Sequence, residues 1–275
     1  MEIVSLLKKR PWGIIGALLL LVIIVVAVFA PLLAPYDPND IQIEHRLEPP
    51  GSSFLFGTDN LGRDVLSRIL WGSQIYLRLG LIAIGAAAVL GLILGFLSGY
   101  LGGKTDYILQ RALIIPVFFL GAIALLFLIV GTSARFLPFV SAGVVSQFAT
   151  TIVLVLLAAV FLPSSYNVAR KETEAIRHSQ PPLHHLPHML ASLTVVALVN
   201  LGIAIGIAVL VTTPLSYSGF APPPVPYWGG MLVTGRQYMI TAPWIVLFPS
   251  AAIVLSSLGL ILFGHAVRDI WIPHL

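Results

Sequence analysis

The chain of 275 residues contains no cysteine, so neither a disulfide framework nor a thiolate metal site can form. Charged residues are also scarce: they make up 9% of the chain, whereas a soluble domain carries about 25%. That deficit leaves too little polar surface to cover a water-soluble globule. The sequence also lacks a glycine-rich phosphate loop and any nucleophile motif, so neither an enzymatic activity nor a cofactor is predicted.

Apolar residues make up 58% of the chain, and they cluster into long runs. The runs predict an all-α, polytopic membrane protein with six transmembrane helices. The predicted spans are about 12–30, 76–100, 108–130, 143–162, 189–211 and 243–263. Lys8, Lys9 and Arg10 precede the first span, so both termini are predicted to be cytoplasmic. The net charge of +4 is explained by anionic lipid headgroups, and no nucleic-acid partner is predicted.

The polar segment between the first two spans is predicted to lie outside the membrane. A short amphipathic helix is expected at the interface, beginning near Asn60 with Thr58 or Asp59 as its cap. Its apolar face would comprise Val65, Leu66, Ile69 and Leu70, and its polar face would carry Asp64 and Arg68 as an i,i+4 pair. We therefore divide the chain into residues 1–75, the first helix plus this external segment, and residues 76–275, a five-helix core.

Small and polar residues inside the spans indicate helix contacts. Gly91, Gly95 and Gly99 recur every four residues, which predicts a smooth face for close helix packing. Gln147 and Asn200 lie at membrane depth. Either they line a translocation path or they form hydrogen bonds between helices, and the sequence favours neither reading.

The stretch from Ser164 to Leu190 is too highly charged to cross a bilayer, so it is predicted to be a polar cytoplasmic loop that docks a soluble partner. The same loop carries four histidines, which could in principle hold a metal ion. These are His178, His184, His185 and His188. A proline between the last two works against a regular helix, so a solvated loop is preferred and no metal site is predicted.

Several ordered motifs resemble those of one family. The string Phe56–Arg68 resembles the signature before the second span of C-type permease subunits in dipeptide, oligopeptide and nickel ABC importers. The resemblance continues at Gly99–Gly103 and Asp106, and returns at Trp228–Leu232 and Gly235–Tyr238. It also includes the opening helix and covers nearly the whole chain.

The resemblance implies a type I ABC importer permease fold with six transmembrane helices, placed in the cytoplasmic (inner) membrane. It implies as partners a B-type permease, two cytoplasmic ATPases and an extracytoplasmic substrate-binding protein, with peptides, nickel or other small solutes as the cargo. The matching external signature residues are Gly57, Thr58, Asp59, Gly62, Arg63, Asp64, Trp228, Gly229 and Arg236. The residues matching the ATPase-coupling loop are Glu172, Glu174, Ala175, Leu186 and Pro187.

The coupling loop departs from the family pattern. Ile176 follows Glu174-Ala175 where the family has a second alanine, and the spacing to Leu186-Pro187 is about six residues shorter. Pro181-Pro182 would also break a coupling helix. These departures leave open a degenerate permease that acts as a structural membrane subunit. A stand-alone secondary transporter is less favoured, because it would ordinarily carry ionisable residues inside its spans.

Overall fold

A computed structural model describes the backbone of residues 11–113, 142–178, 186–217 and 226–271, and the side chains of 11–113, 153–174, 192–209 and 226–267. Within these ranges the chain is all-α, and its one strand-like pairing is a single bridge between Thr58 and Asp64. The labelled helices are α1 Pro11–Leu33, α2 Val65–Leu101, α3 Ala142–His178, α4 Leu186–Tyr217, α5 Trp228–Arg236 and α6 Trp244–Trp271. A short 3-10 helix spans Ile43–His45, and residues 103–113 are also helical.

Five helices in the described part of the chain are long and apolar enough to cross a membrane, which confirms five of the predicted spans. They are Pro11–Leu33, Val65–Leu101, Val153–Glu174, Ser192–Val209 and Trp244–Val267. The remaining predicted span, about 108–130, lies mostly outside the described residues. Helices α2 and α3 have 37 residues each and are therefore about 55 Å long, well beyond the roughly 30 Å of a hydrocarbon core. Both helices must project out of the membrane.

Close contacts at glycines fix the relative directions of the helices. On α2, Gly91 lies against Ser165 and Gly99 lies against Thr173, so α2 and α3 run parallel. Hydrogen bonds from Asn200 to Ser164 and from Ser192 to Glu172 make α4 antiparallel to α3.

The last helix completes this pattern of directions. Gly202 lies against Leu260, and Gly264 lies against Val199, so α6 is antiparallel to α4. Gly16 lies against Phe263, and Gly259 lies against Leu19, so α6 is antiparallel to α1 as well. Since α2 and α3 are consecutive described spans with the same direction, the chain has to recross between them. The predicted third span meets that requirement and stays a prediction.

The buried core lies where α2, α3, α4, α5 and α6 meet, and α1 packs on its rim. The largest fully buried side chains include Tyr76, Leu157, Tyr166, Ile205, Trp228, Ile245 and Leu260. By contrast, α1 exposes a broad apolar face on which Leu18 and Val28 are more than half exposed. Such a face is suited to lipid, which has no need of polar side chains on the helices that it touches.

The predicted glycine packing face is confirmed. A Cβ atom added at Gly91, Gly95 or Gly99 would lie 2.5–2.7 Å from the nearest atom of α3. Real Cβ atoms do not approach other heavy atoms so closely, so only glycine allows these backbones to come together. The two parallel helices therefore form a tightly packed pair from mid-membrane to the end of α2.

The predicted interfacial helix is wrong in its start, its cap and its polarity. The helix begins at Val65, its cap is Asp64 instead of Thr58 or Asp59, and it continues without a break to Leu101. Its supposed polar face is also buried, since Arg68 is only 5% exposed. The i,i+4 pair of Asp64 with Arg68 does not form, because Arg68 lies beside Asp59 instead. The proposed division at residue 75 stays a prediction, although the helix runs straight through it.

Within the predicted loop from Ser164 to Leu190, the two helical turns that the sequence allows over Arg170–His178 are confirmed, but the loop is wrong at 164–169 and 186–190, which are helical too. Helix α3 continues past Pro163 to His178, and α4 begins at Leu186. The charged stretch is therefore the projecting end of a membrane helix. A further helix that the sequence did not predict is α5, which lies between α4 and α6.

Candidate functional site

We call the two ends of the bundle outer and inner, following the predicted topology. The centre of the outer end is Asp59, a carboxylate that is 3% exposed. Its Oδ1 accepts hydrogen bonds from the backbone N–H of Leu61, at 2.8 Å, and of Arg63, at 3.0 Å. Its Oδ2 lies 2.8 Å from Arg63 Nε and 3.8 Å from Arg68 Nε. A buried carboxylate with several donors and two cations is compensated, and it fixes the loop around it.

Thr58 joins this loop to the chain that enters it. Its hydroxyl donates to the carbonyl of His45 and accepts from the backbone N–H of Glu48 at 2.8 Å. Its backbone N–H donates to the carbonyl of Glu48 at 3.0 Å, and its carbonyl accepts from Trp244 Nε1 at 3.0 Å. Thr58 is completely buried, so this position connects the outer segment to the start of α6.

Two glycines of the external signature are required by their backbones. Gly57 has φ +73° and Gly62 has φ +77°, backbone angles that residues other than glycine rarely adopt. A Cβ at Gly62 would lie 1.7 Å from the carbonyl oxygen of Gln42. The loop can therefore pass over the 3-10 segment only with glycine at this position.

The start of α2 is tied to the segment that leaves α1. Asp64 Oδ2 accepts from the backbone N–H of Ser67 at 2.7 Å and from the Ser67 hydroxyl at 2.6 Å. The Ser67 Oγ accepts in turn from the backbone N–H of Tyr36 at 3.1 Å. Arg68 Nη1 donates to the carbonyl of Pro38 at 2.8 Å. The buried side chains of Ser67 and Arg68 on α2 thus hold the segment that follows α1 in place.

The second half of the external signature is held against the same helix. Trp228 is 2% exposed, and its Nε1 donates to the carbonyl of Ile69 at 3.1 Å. The backbone N–H of Gly229 donates to the Tyr76 hydroxyl at 3.2 Å. Arg236 lies apart from these residues and is exposed at the end of α5. The structure thus brings all predicted signature residues except Arg236 into one packed unit around the first turns of α2.

At the inner end, the side chain of Asp106 meets the end of α3. Its Oδ1 lies 2.9 Å from Arg170 Nε, 2.6 Å from Ser98 Oγ and 3.0 Å from the Tyr166 hydroxyl. The two hydroxyl groups are also 2.8 Å apart, and either can donate to the other. The two hydroxyl groups have two hydrogens for these three contacts, so at least one hydroxyl donates to the carboxylate at any time. The arginine balances the charge of the carboxylate. We call these four residues the inner polar joint.

The predicted coupling residues lie just beyond this joint. Glu174 Oε1 accepts from Arg170 Nη2 at 3.1 Å, and the Glu174 side chain is 42% exposed. Glu172 Oε1 accepts from the Ser192 hydroxyl at 2.8 Å, which ties α3 to α4. Ala175, Leu186 and Pro187 lie outside the described side chains, as do the four histidines.

Of the two predicted path residues, only Asn200 has a described side chain. It is 7% exposed, and its Nδ2 donates to Ser164 Oγ at 2.7 Å. This contact supports the hydrogen-bonding alternative for Asn200, since the amide is turned toward α3. The side chain of Gln147 lies outside the described set, so both roles stay predictions.

Sequence reasoning did not assign a role to the inner polar joint. Asp106 and Arg170 are 64 positions apart, and the only local signal was the presence of Asp106 in the family motif. Tyr166 also gave no signal, although it is 1% exposed and contributes to the core. Its position opposite Gly91 and Gly95 became visible only when the direction of α3 was known.

Comparison of the sequence with those of known proteins places the chain in a family. A family model described as the N-terminal transmembrane domain of oligopeptide transport permease C matches residues 2–50. A probable D,D-dipeptide transport system permease of Escherichia coli is 34% identical over 99% of this chain and 91% of its own length. A dipeptide transport permease of Alkalihalophilus pseudofirmus is 33% identical over 96% and 86%. A glutathione transport permease of Pectobacterium atrosepticum is 32% identical over 96% and 87%.

Proposed function

Since the chain belongs to the C-type permease subunits of peptide ABC transport systems, we propose that it forms one half of the membrane path of a short-peptide importer. The observation that carries this proposal is similarity along the full length, from α1 to α6, to permeases named for peptide transport. The substrates for which these relatives are named are a D,D-dipeptide, a dipeptide and glutathione, all short peptides. We therefore infer a short peptide as the cargo, in preference to nickel.

The partners follow from what the chain does not contain. Its sequence has no phosphate-binding loop, so ATP is hydrolysed by separate cytoplasmic subunits and the chain itself is not an enzyme. It supplies one set of spans, so a B-type permease supplies the other half of the path. An extracytoplasmic binding protein delivers the peptide to the outer end.

The proposed orientation has both termini in the cytoplasm of a cell with an inner membrane. Lys8, Lys9 and Arg10 precede α1, and Lys104, Arg170 and Lys171 then fall at the same end of the bundle. The relative directions of the described helices agree with this orientation, because they bring the ends of α2, α3 and α6 to the same end of the bundle as the start of α1. The test is labelling of single cysteines, which is simple because the chain has none.

Exposure decides where these cysteines go. Thr58 lies in the outer segment but is fully buried, so Ser52, which is exposed, is the better outer position. Lys104 is exposed at the inner end. A membrane-impermeant maleimide added to intact spheroplasts should label Ser52→Cys and not Lys104→Cys. The reverse pattern would refute the orientation.

ATPase docking is proposed for the projecting end of α3, with Glu172, Glu174 and Ala175, together with Leu186-Pro187. This end leaves the membrane as a continuous helix, which is a rigid element on which a partner can act. Glu174→Lys should reduce ATPase copurification from the assembled transporter. Glu44→Lys, an equal charge change at an exposed outer position, should not.

A second candidate is the structural membrane subunit, which the altered sequence after Glu174 favours. The same experiment separates the two functions. A complex that contains this chain and the B-type permease, but retains no ATPase even as wild type, would favour the structural subunit.

A further inference from the structure

We propose that the Asp106–Arg170 ion pair is the mechanical joint through which motion of the inner end of α3 reaches α2 and the segment after it. This inference rests on the proposed function, because it assumes that an ATPase acts on α3. Neither residue belongs to the external signature or to the proposed docking residues. Both act as positioning residues, since neither would touch the peptide or the nucleotide.

The ion pair lies where three stretches of the chain meet. Ser98 is on α2, Asp106 is in the helical segment 103–113, and Tyr166 and Arg170 are on α3. One carboxylate oxygen thus links three separate stretches of chain within 3.0 Å. Segment 103–113 leads toward the predicted third span, so the joint lies where α2 ends and the chain turns back.

The turn itself leaves little freedom to Asp106. Helix α2 ends at Leu101, and the N–H of the capping residue Gly102 donates to the carbonyl of Ser98 at 2.8 Å. Gly102 and Gly103 both have positive φ, at +63° and +58°, so the chain reverses sharply and segment 103–113 begins at once. The tight reversal brings Asp106 back over Ser98, where it meets Arg170.

The helices around the ion pair are closely packed. Gly95 and Gly99 hold the backbones of α2 and α3 in direct contact, with Ala169 and Thr173 buried between the helices. Because such packing has low compressibility, a displacement of one helix is passed to the other. The ion pair and the hydroxyl contacts of Asp106 add attractive contacts that oppose sliding of one helix along the other, at the point where the glycine face ends.

The two charges of the ion pair lie in a partly buried environment. The Arg170 side chain is 22% exposed and that of Asp106 is 18%, so the pair is partly shielded from water and salt. Arg170 also contacts Glu174, a proposed docking residue one helical turn further along α3. A force on Glu174 therefore has a path of polar contacts through Arg170 to Asp106.

The test uses the assembled transporter in lipid vesicles, with purified binding protein and a dipeptide. Asp106→Asn keeps the size of the side chain and removes its charge. We expect ATPase copurification and basal ATP hydrolysis to be retained, while the stimulation by peptide-loaded binding protein falls at least about fivefold. The swapped pair Asp106→Arg with Arg170→Asp should recover a large part of that stimulation. Ser73→Ala, which removes a buried hydroxyl of α2 far from the joint, is the control.

A second measurement does not depend on the ATPases. Hydrogen exchange along residues 165–174 of the permease pair should quicken in Asp106→Asn and return toward wild type in the swapped pair. Unchanged exchange, unchanged stimulation or failure of the swap to restore both would overturn the joint. A wild-type complex that binds no ATPase would refute the proposed function instead, and the exchange result would still decide whether the ion pair holds α3 in place.

Discussion

The outer and inner ends of the molecule are held together in different ways. At the outer end, Thr58, Asp59, Asp64 and Arg68 are each at most 5% exposed, and most of their contacts are to backbone groups. At the inner end, the inner polar joint consists of contacts between side chains of α2, α3 and the helical segment 103–113, and its two charged side chains are partly exposed. Backbone contacts fix a loop in one conformation, whereas contacts between side chains on different helices hold those helices to one another. The outer end is therefore fixed as a loop, and the inner end is joined so that α2 and α3 would move together.

This difference agrees with the division of work in the proposed transporter. The outer unit joins α1, α2, α5 and α6 near the face where a binding protein would dock, and a docking face benefits from being preorganised. The inner end has to respond to ATP hydrolysis in a partner. Substitutions made separately at each end of the bundle test this comparison.

The largest expected effect is at Gly62. Gly62→Ala would place a Cβ atom 1.7 Å from the Gln42 carbonyl oxygen at a φ of +77°, so the loop has to shift and the residue is strained as well. We expect destabilisation of about 3 kcal/mol or more, with little folded protein in the membrane. Thermal unfolding of detergent-purified protein and the amount of folded permease in membranes measure it.

Gly51→Ala is the matched control in the same outer segment. Its added Cβ would have its nearest neighbour, the Pro49 carbonyl oxygen, 3.8 Å away, which is an ordinary contact. This variant should behave as wild type. Equal stability of the two variants would show that the outer unit is less rigid than its hydrogen bonds indicate.

An intermediate effect is expected where α2 meets α3. Gly95→Ala would bring a Cβ atom within 2.5 Å of the Tyr166 carbonyl oxygen, so the helices must separate. Overpacking of this size costs about 1–3 kcal/mol. Gly85→Ala, in the same helix but with no atom within 4 Å of the added Cβ, should be stabilising by up to about 1 kcal/mol. Melting temperatures of the two variants should move in opposite directions, and a shift in the same direction would argue against the close packing of the pair.

Hydropathy located five of the six predicted spans because membrane insertion depends on apolar length, a property read directly from sequence. The spacing of Gly91, Gly95 and Gly99 likewise predicted a packing face, since four residues are close to one helical turn. The partner of that face could not be inferred, because the direction of α3 depends on the whole arrangement of spans.

Two errors have a common physical cause. Thr58, Asp59 and Asp64 are all suitable helix caps, and local preference cannot choose among them. The choice is made by long-range contacts, since Asp59 is occupied by two arginines and Thr58 by the segment around Glu48. Similarly, the charges after Ser164 mark the end of the membrane and not the end of the helix. Pro163 removes one hydrogen bond, but packing against α2 maintains α3 on both sides of it.

The smallest expected effect is at Asn200, midway between the two ends. Its amide donates to Ser164 Oγ, next to Pro163, at 2.7 Å. If this bond only joins α3 to α4, Asn200→Ala should cost about 0.6 kcal/mol, the typical value for a hydrogen bond between membrane helices. Peptide uptake should then stay within about threefold of wild type, because each tenfold change in rate requires about 1.4 kcal/mol.

A double-mutant cycle with Ser164→Ala makes this test specific. If the two side chains act through their mutual bond, the double variant should lose no more stability than either single variant, so the effects are not additive. Additive losses would mean that the bond contributes nothing. A large fall in peptide uptake with unchanged thermal stability would instead show that Asn200 lines the translocation path. In that case the hydrogen bond to Ser164 would have to open during transport, and the middle of α4 would belong with the moving inner end.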